Sequence, residues 1–344
     1  MRKIVFSLGL LVAFGVLALA NTQRTLVLFN WADYMPPQII KDFEKKYSAT
    51  VKTPVFESNE ELLAKLKQGG VAYDVIVPSD YIVPVMIKQG LLQRLDKTKI
   101  PNFKNLGAKF VNTAFDPKSE YTAGYQWGST GIVYSKKAYP NPKKSWGLLF
   151  DPKQTKGNFA LMNDQRVTIG AALKYLGKSL NTRNFADLKA AETLLTSAKK
   201  RSKGFVDGSS ASKQVIAGTF SAAISYNGEA NRYAAEDKNL GFFIPEEGTT
   251  FAQDVMAIPS SSKDPELAHL FINYILDAKV GAALSNYTAY ASPNDAAKAG
   301  INKALTSNPA VYPPAAVLAR LEPVQDLGAD QKLYDTLWTR IKSR

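Results

Sequence analysis

The apolar pattern at the start of the chain has the period of buried strands and amphipathic helices in alternation. Residues 26–29 (Leu-Val-Leu-Phe) form a continuous apolar run that reads as a buried strand. It ends at Asn30, and Trp31 and Tyr34 then fall in a turn before Pro36 and Pro37 open a helix through Ile39, Ile40 and Phe43. Residues 50–56 read as a second strand, which Pro54 shortens or confines to an edge. Ser58 and Glu61 have capping-box spacing ahead of a helix to Lys67, stopped by Gly69 and Gly70. Residues 72–78 form a third strand, Ser79-Asp80-Tyr81 stand at its carboxyl end, and a helix follows to Gln89 and Gly90. Such β-α-β-α-β-α order predicts a parallel sheet with right-handed crossovers, whose carboxyl-end crevice is where ligands bind.

Residues 96–121 are loop-rich, and 125–134 read as a strand crossing into a second α/β unit. That unit takes strands at 158–162 and 222–226 and helices at 169–176 and 185–197. Residues 251–259 cross back, helices follow at 265–276 and 279–284, residues 287–293 make a third crossing, and 332–341 form the last helix. The expected architecture is α/β with two lobes, hinge strands and an interlobe cleft. One lobe takes residues 21–127 with 254–290; the other takes 128–253 with 291–344. A length of 344 residues agrees with two units.

Composition narrows what the two lobes do. Arg2 and Lys3 precede an apolar stretch over 4–19, and Ala18-Leu19-Ala20 is a small-residue cleavage site. Residues 1–20 therefore read as a secretory signal peptide cleaved near Ala20, with a periplasmic mature chain. The absence of cysteine excludes thiol chemistry, disulfides and a cysteine-borne lipid. The single histidine, His269, lies in an amphipathic helix and reads as structural, which argues against His-rich metal sites and a Ser-His-Asp machine. Net charge is +13, of which Arg2 and Lys3 supply two. The lysines are scattered. The one tight run, Lys199-Lys200-Arg201-Ser202-Lys203, reads as a solvated helix end, so nucleic acid is not an expected partner.

Trp31, Tyr34, Ser79, Tyr81, Asp164, Tyr226, Asp254 and Tyr290 fall at strand ends or crossings. Singly, each has a plain structural reading: Tyr226 in the core, Asp164 as a helix cap, Asp254 paired with a lysine. Together they describe a slot with aromatic walls and acidic ends. Ring faces attract ammonium groups at about 0.5–2 kcal/mol each. Carboxylates accept charge-assisted hydrogen bonds from the same groups. The slot suits an organic cation, with Arg166 as a basic group that either neutralises Asp164 or holds an anionic group.

The chain resembles the bacterial periplasmic spermidine/putrescine-binding proteins, the receptors of polyamine ABC importers. The resemblance is carried by Asn30-Trp31-Ala32-Asp33-Tyr34-Met35-Pro36-Pro37, Phe56-Glu57-Ser58-Asn59-Glu60 and Tyr73-Asp74-Val75-Ile76-Val77-Pro78-Ser79-Asp80-Tyr81. It continues in Trp127-Gly128-Ser129-Thr130, Tyr226-Asn227-Gly228, Pro245-Glu246-Glu247-Gly248, Asp254-Val255-Met256-Ala257-Ile258-Pro259 and Tyr290-Ala291-Ser292-Pro293-Asn294. It implies a type II periplasmic-binding fold and a monomeric receptor, without cofactor or metal, that hands a polyamine to an importer permease. Trp31, Tyr34, Tyr81, Tyr226 and Tyr290 would form the aromatic box. Asp254 and Asp164 would hold amines, and Ser79 would hydrogen-bond nearby.

The chain departs from that pattern at Val167, where the family carries a glutamate, and at Ala252 and Tyr226, where it carries tryptophans. Glu229 and Asp80 are the candidates to replace the missing acid. Two other readings remain. One is a receptor of the same fold for another organic cation, an amino-acid-like zwitterion or a ferric ion. The other is a hydrolase built on Asp164 and Asp254, which lacks any accompanying base, nucleophile or metal cluster. No catalytic residue is assigned.

Overall fold

The structure is a computed structural model that describes residues 24–343. The signal peptide read over residues 1–20 lies outside them. β1 (Arg24–Trp31) buries Leu26, Leu28 and Phe29, covered on both faces as an interior parallel strand is. α1 (Pro37–Tyr47) opens on proline and turns at Ser48 in the left-handed region (φ 49). Pro54 divides the next strand into β2 (Ala49–Lys52) and β3 (Val55–Phe56), both parallel to β1. Ser58 caps α2 (Asn59–Gln68) by accepting the Glu61 N–H at 3.1 Å. The Glu61 carboxylate accepts from Glu57 N–H at 2.9 Å, one residue before the reciprocal partner of a capping box. β4 (Val75–Ile76) pairs parallel with β1, and a 3₁₀ turn at Asp80–Ile82 leads into α3 (Val83–Lys88).

β5 (Thr122–Ser135) is a single strand of 14 residues, buried from Thr122 to Val133. It carries the chain into α4 (Gly147–Phe150), β6 (Phe159–Met162), α5 (Gln165–Tyr175), α6 (Phe185–Arg201), β7 (Phe205–Val206), α7 (Gly208–Ile216), β8 (Ala222–Tyr226), α8 (Asn227–Glu236) and β9 (Leu240–Phe243). β10 (Thr250–Ala257) returns to the first lobe, where α9 (Pro265–Ile275) and α10 (Ala278–Thr288) pack. The short α11 (Lys303–Thr306), α12 (Ala315–Leu318) and β11 (Glu322–Pro323) precede α13 (Gln331–Ser343). The strand order is β2-β1-β4-β10-β5-β8-β6-β7. β5 is the shared member: Thr122–Ser129 pair antiparallel with β10, and Thr130–Tyr134 pair with β8. One main core gathers Leu26, Phe43, Val75, Met256 and Phe271; another gathers Ile132, Trp146, Phe159, Ile224 and Tyr334.

The third crossing expected at 287–293 is not a strand. It reduces to one bridge, Trp127 with Ala291. Residues that were expected to begin the second lobe at 291 stay with the first instead. Gly107 N–H donates to Pro293 O at 2.9 Å, and Asn294 Nδ2 donates to Leu276 O at 2.8 Å. Asn294 also caps the 3₁₀ turn Asp295–Gly300 that lies on α10. The basic run at 199–203 is not simply solvated. Lys199 Nζ donates to Ile341 O and Lys342 O at 3.0 and 2.8 Å, and Arg201 reaches the carbonyls of Leu149 and Phe150. His269 is a bracing residue whose Nε2 accepts the Asp96 N–H at 2.9 Å.

Candidate ligand-binding site

A cavity of ≈ 440 Å³ opens where the two halves of the sheet meet. Trp31, Tyr34, Ser79, Tyr81, Asp164, Tyr226, Glu229, Asp254 and Tyr290 all line it. A β-bulge between Asp254 and Val255 sets the central acid: β10 moves from Gln126 to Gly124 opposite, skipping Tyr125. Two hydroxyls then hold the Asp254 carboxylate. Ser79 Oγ donates to Oδ1 at 2.7 Å and the Tyr34 hydroxyl to Oδ2 at 2.8 Å. The skipped Tyr125 donates its hydroxyl to the Tyr34 carbonyl, so the bulge also fixes the loop after β1.

The aromatic walls depend on small neighbours. Tyr290 lies T-shaped to Tyr34, ring centroids 5.0 Å apart. A Cβ at Gly228 would fall within the Tyr290 ring, and one at Gly128 would stand 2.9 Å from its Cδ1. A Cβ at Gly208 would likewise meet the Tyr226 ring. Trp31 Nε1 donates to Val77 O at 2.9 Å, and its rings lie 4.5 Å from Phe56. The Tyr81 hydroxyl donates to Glu60 Oε1 at 3.1 Å.

Asp164 is the N-cap of α5, where the helix dipole favours its charge. Its Oδ1 accepts the Val167 N–H at 2.9 Å and its Oδ2 the Tyr226 hydroxyl at 3.2 Å. Arg166 also lines the cavity and its charge lowers Asp164, but its hydrogen bonds go elsewhere. The guanidinium donates to Gln325 O at 3.0 Å and Asn181 Oδ1 at 2.8 Å, and lies 4.9 Å from the Tyr334 ring centroid. Burial dominates the electrostatics. It raises Asp254 to about 6, against the lowering effect of Ser79 and Tyr34. It raises Asp164 as well, and lifts Glu229 to about 8. Tyr34, Tyr81, Tyr226 and Tyr290 are all held well above the usual phenol range by burial and the surrounding carboxylates, so they stay neutral donors.

Of the two acids expected to substitute for Val167, only Glu229 reaches the cavity. Asp80 is buried beneath it as a backbone brace. Its Oδ1 accepts Tyr81 N–H at 2.8 Å and its Oδ2 accepts Gln253 N–H at 3.2 Å. Burial pushes its carboxyl up to about 8. Phe56, Glu57, Glu61, Met162, Thr250 and Asp207 line the cavity without having been named as site residues from sequence, Glu61 having been read only as part of a helix cap. Glu57 lay in a quoted motif, whereas Asp207 caps α7, a helix the sequence pattern did not reveal.

Two lobes sharing a pair of crossing strands, with an aromatic and acidic cavity between them, define a solute receptor. The chain belongs to the bacterial extracellular solute-binding proteins, whose family model matches residues 38–313. It is 33% identical over 340 residues to the putrescine/cadaverine-binding protein of Pseudomonas aeruginosa, covering 95% of this chain and 96% of that one. It is 32% identical over 342 residues to the spermidine/putrescine-binding periplasmic protein of Escherichia coli, covering 97% of each. A solved structure from Listeria monocytogenes, provisionally described as a spermidine/putrescine ABC transporter, superposes with a TM-score of 0.87 at 34% identity, covering 93% of this chain and 99% of that one.

Proposed function

We propose that the mature protein is a monomeric periplasmic receptor, freed of its leader near Ala20, that captures a polyamine and delivers it unchanged to an ABC importer permease. Trp31, Tyr34, Tyr81, Tyr226 and Tyr290 cover the methylenes and face the ammonium groups; Asp254 and Asp164 hold ammonium groups, with Ser79 orienting Asp254. The observation that carries the reading is Asp254. It sits on a crossing strand, is held only by neutral hydroxyls, and enters no ion pair among the described residues. A carboxylate so enclosed calls for a cation from outside. The relatives named for putrescine, cadaverine and spermidine support the same class of ligand.

The test is thermal stability with and without ligand. A ligand at about 100 times its Kd stabilises by about 2.7 kcal/mol. Spermidine, putrescine or cadaverine at millimolar concentration therefore raises Tm, while butane-1,4-diol leaves it unmoved. Asp254→Asn keeps the shape and the fold but weakens binding by at least about tenfold, because losing one partner of a buried charged pair costs about 2–5 kcal/mol. No shift with any polyamine, or full affinity in Asp254→Asn, contradicts the reading.

A further inference from the structure

α8 belongs to the second lobe, where Ala230 shares a buried cluster with Val133, Ala223 and Leu240. Its first two turns nevertheless bond to the first lobe, through residues that do not line the cavity. Asn227 Nδ2 donates to Ala310 O at 2.8 Å, and Asn308 Nδ2 donates to Asn231 Oδ1 at 2.9 Å. The turn that carries Asn308 and Ala310 is fixed to the first lobe. Val311 is fully buried with Trp127 and Ala291. The Tyr312 ring lies T-shaped to Trp127 with centroids 5.8 Å apart, and its hydroxyl accepts Ser292 N–H at 3.2 Å.

The two bonds stand at different distances from the point where the lobes join. β5 changes partner between Ser129, opposite β10, and Thr130, opposite Tyr226 of β8. Asn227 sits at that point. Its Oδ1 accepts Ser129 N–H at 3.1 Å, and a Cβ at Gly128 would stand 2.4 Å from the same oxygen. Asn231 lies one helical turn further along α8. Its Nδ2 donates to Asn227 O at 2.6 Å, which leaves its Oδ1 as the acceptor for Asn308. A bond at a pivot survives rotation of the lobes, whereas one displaced from it exists in only one arrangement.

We infer that Asn231 and Asn308 form a lobe-to-lobe latch, with Asn227 as its pivot. They are positioning residues: they stand outside the cavity and hold its two walls at the spacing seen here. The inference rests on the polyamine reading above. A ligand that contacts both walls binds only the joined arrangement. Whatever stabilises that arrangement before the ligand arrives therefore raises affinity for every such ligand by the same factor. The latch thus sets how tightly polyamines are held without choosing among them.

A double-mutant cycle read with two ligands tests this. By calorimetry, Asn231→Ala and Asn308→Ala each weaken spermidine and putrescine binding by about three- to tenfold, by the same factor for both amines. Asn308→Ala also removes the acceptor for Ala310 N–H, so its loss is the larger if that turn loosens. The double variant is then no weaker than Asn308→Ala alone, because both substitutions break one bond. Asn231→Asp keeps the acceptor for Asn308 and is at most about twofold weaker than the wild-type protein. In stopped-flow kinetics the loss falls on dissociation, which requires the lobes to part, while association changes by less than about twofold. Unaltered affinity in Asn231→Ala, unequal losses for the two amines, an additive double variant, or a loss confined to association overturns the latch while leaving polyamine capture intact. Failure of both amines to bind the wild-type protein overturns the polyamine reading and the latch together.

Discussion

Asp254 shows how a residue acquires a role that its neighbours in sequence do not announce. Gln253 and Val255 on either side are uncharged, so the acid was legible as unpaired. The bulge that aims it, and the hydroxyls of Ser79 and Tyr34 that hold it, come from elements far along the chain. Asp80 marks the opposite outcome. Its position beside Ser79 and Tyr81 suggested a ligand acid, but the 3₁₀ turn directs it at backbone N–H groups. Arg166 was ambiguous for the same reason: only the fold brings Asn181 and Gln325 to it. The raised carboxyl of Asp254 gives a pH prediction with a definite sign. A cation binds the ionised form, so affinity is lost as pH falls through about 6. Below that value polyamine affinity drops by up to about tenfold per pH unit, because ligand must compete with a proton. Calorimetry between pH 7 and pH 5 measures this, and an affinity unchanged at pH 5 contradicts Asp254 as an anchor.

Among the elements, α5 serves two purposes through one residue. Asp164 caps the helix and presents its second oxygen to the cavity. Replacing it with asparagine keeps an acceptor for Val167 N–H, so stability stays near that of the wild-type protein while polyamine affinity falls by about tenfold. Alanine removes the cap too and costs about a further 1 kcal/mol of stability. Equal stability of the two variants in chemical denaturation would contradict the cap, and unaltered affinity in both would contradict the anchor. Elements with strong periodicity were legible: β8 at 222–226, the helix opening on Pro265, and the break at Pro54. α7, α8 and β9 were not. Their sequences, Gly208-Ser209-Ser210 and Asn227-Gly228 at the helix starts and Leu240-Gly241-Phe242-Phe243 in the strand, have weak propensities and too few turns for a period to emerge. Packing on β5, β6 and β8 stabilises them instead.

For the whole molecule, β5 and β10 are the mechanical link: β5 pairs with β10 over one stretch and with β8 over the next, and β10 pairs with β11 at its start and β4 at its end. The halves also touch where Asp33 after β1, itself in the left-handed region at φ 55, faces Lys213 and Arg232. Exposed ion pairs of this kind contribute about 0–1 kcal/mol. A ligand that contacts both walls therefore decides the balance between open and closed forms. The alternation of lobes was legible because each begins a new run of strands and helices. The membership of residues 291–301 was not, because it depends on contacts from distant elements: Gly107 with Pro293, Leu276 with Asn294, and Asn286 with Gly300. Small-angle scattering during a titration with spermidine tests capture between the lobes most directly. The predicted result is a radius of gyration that falls until one equivalent has bound and then stays constant, with octane-1,8-diol producing no change. A constant radius while calorimetry records saturation of the same sample would contradict it.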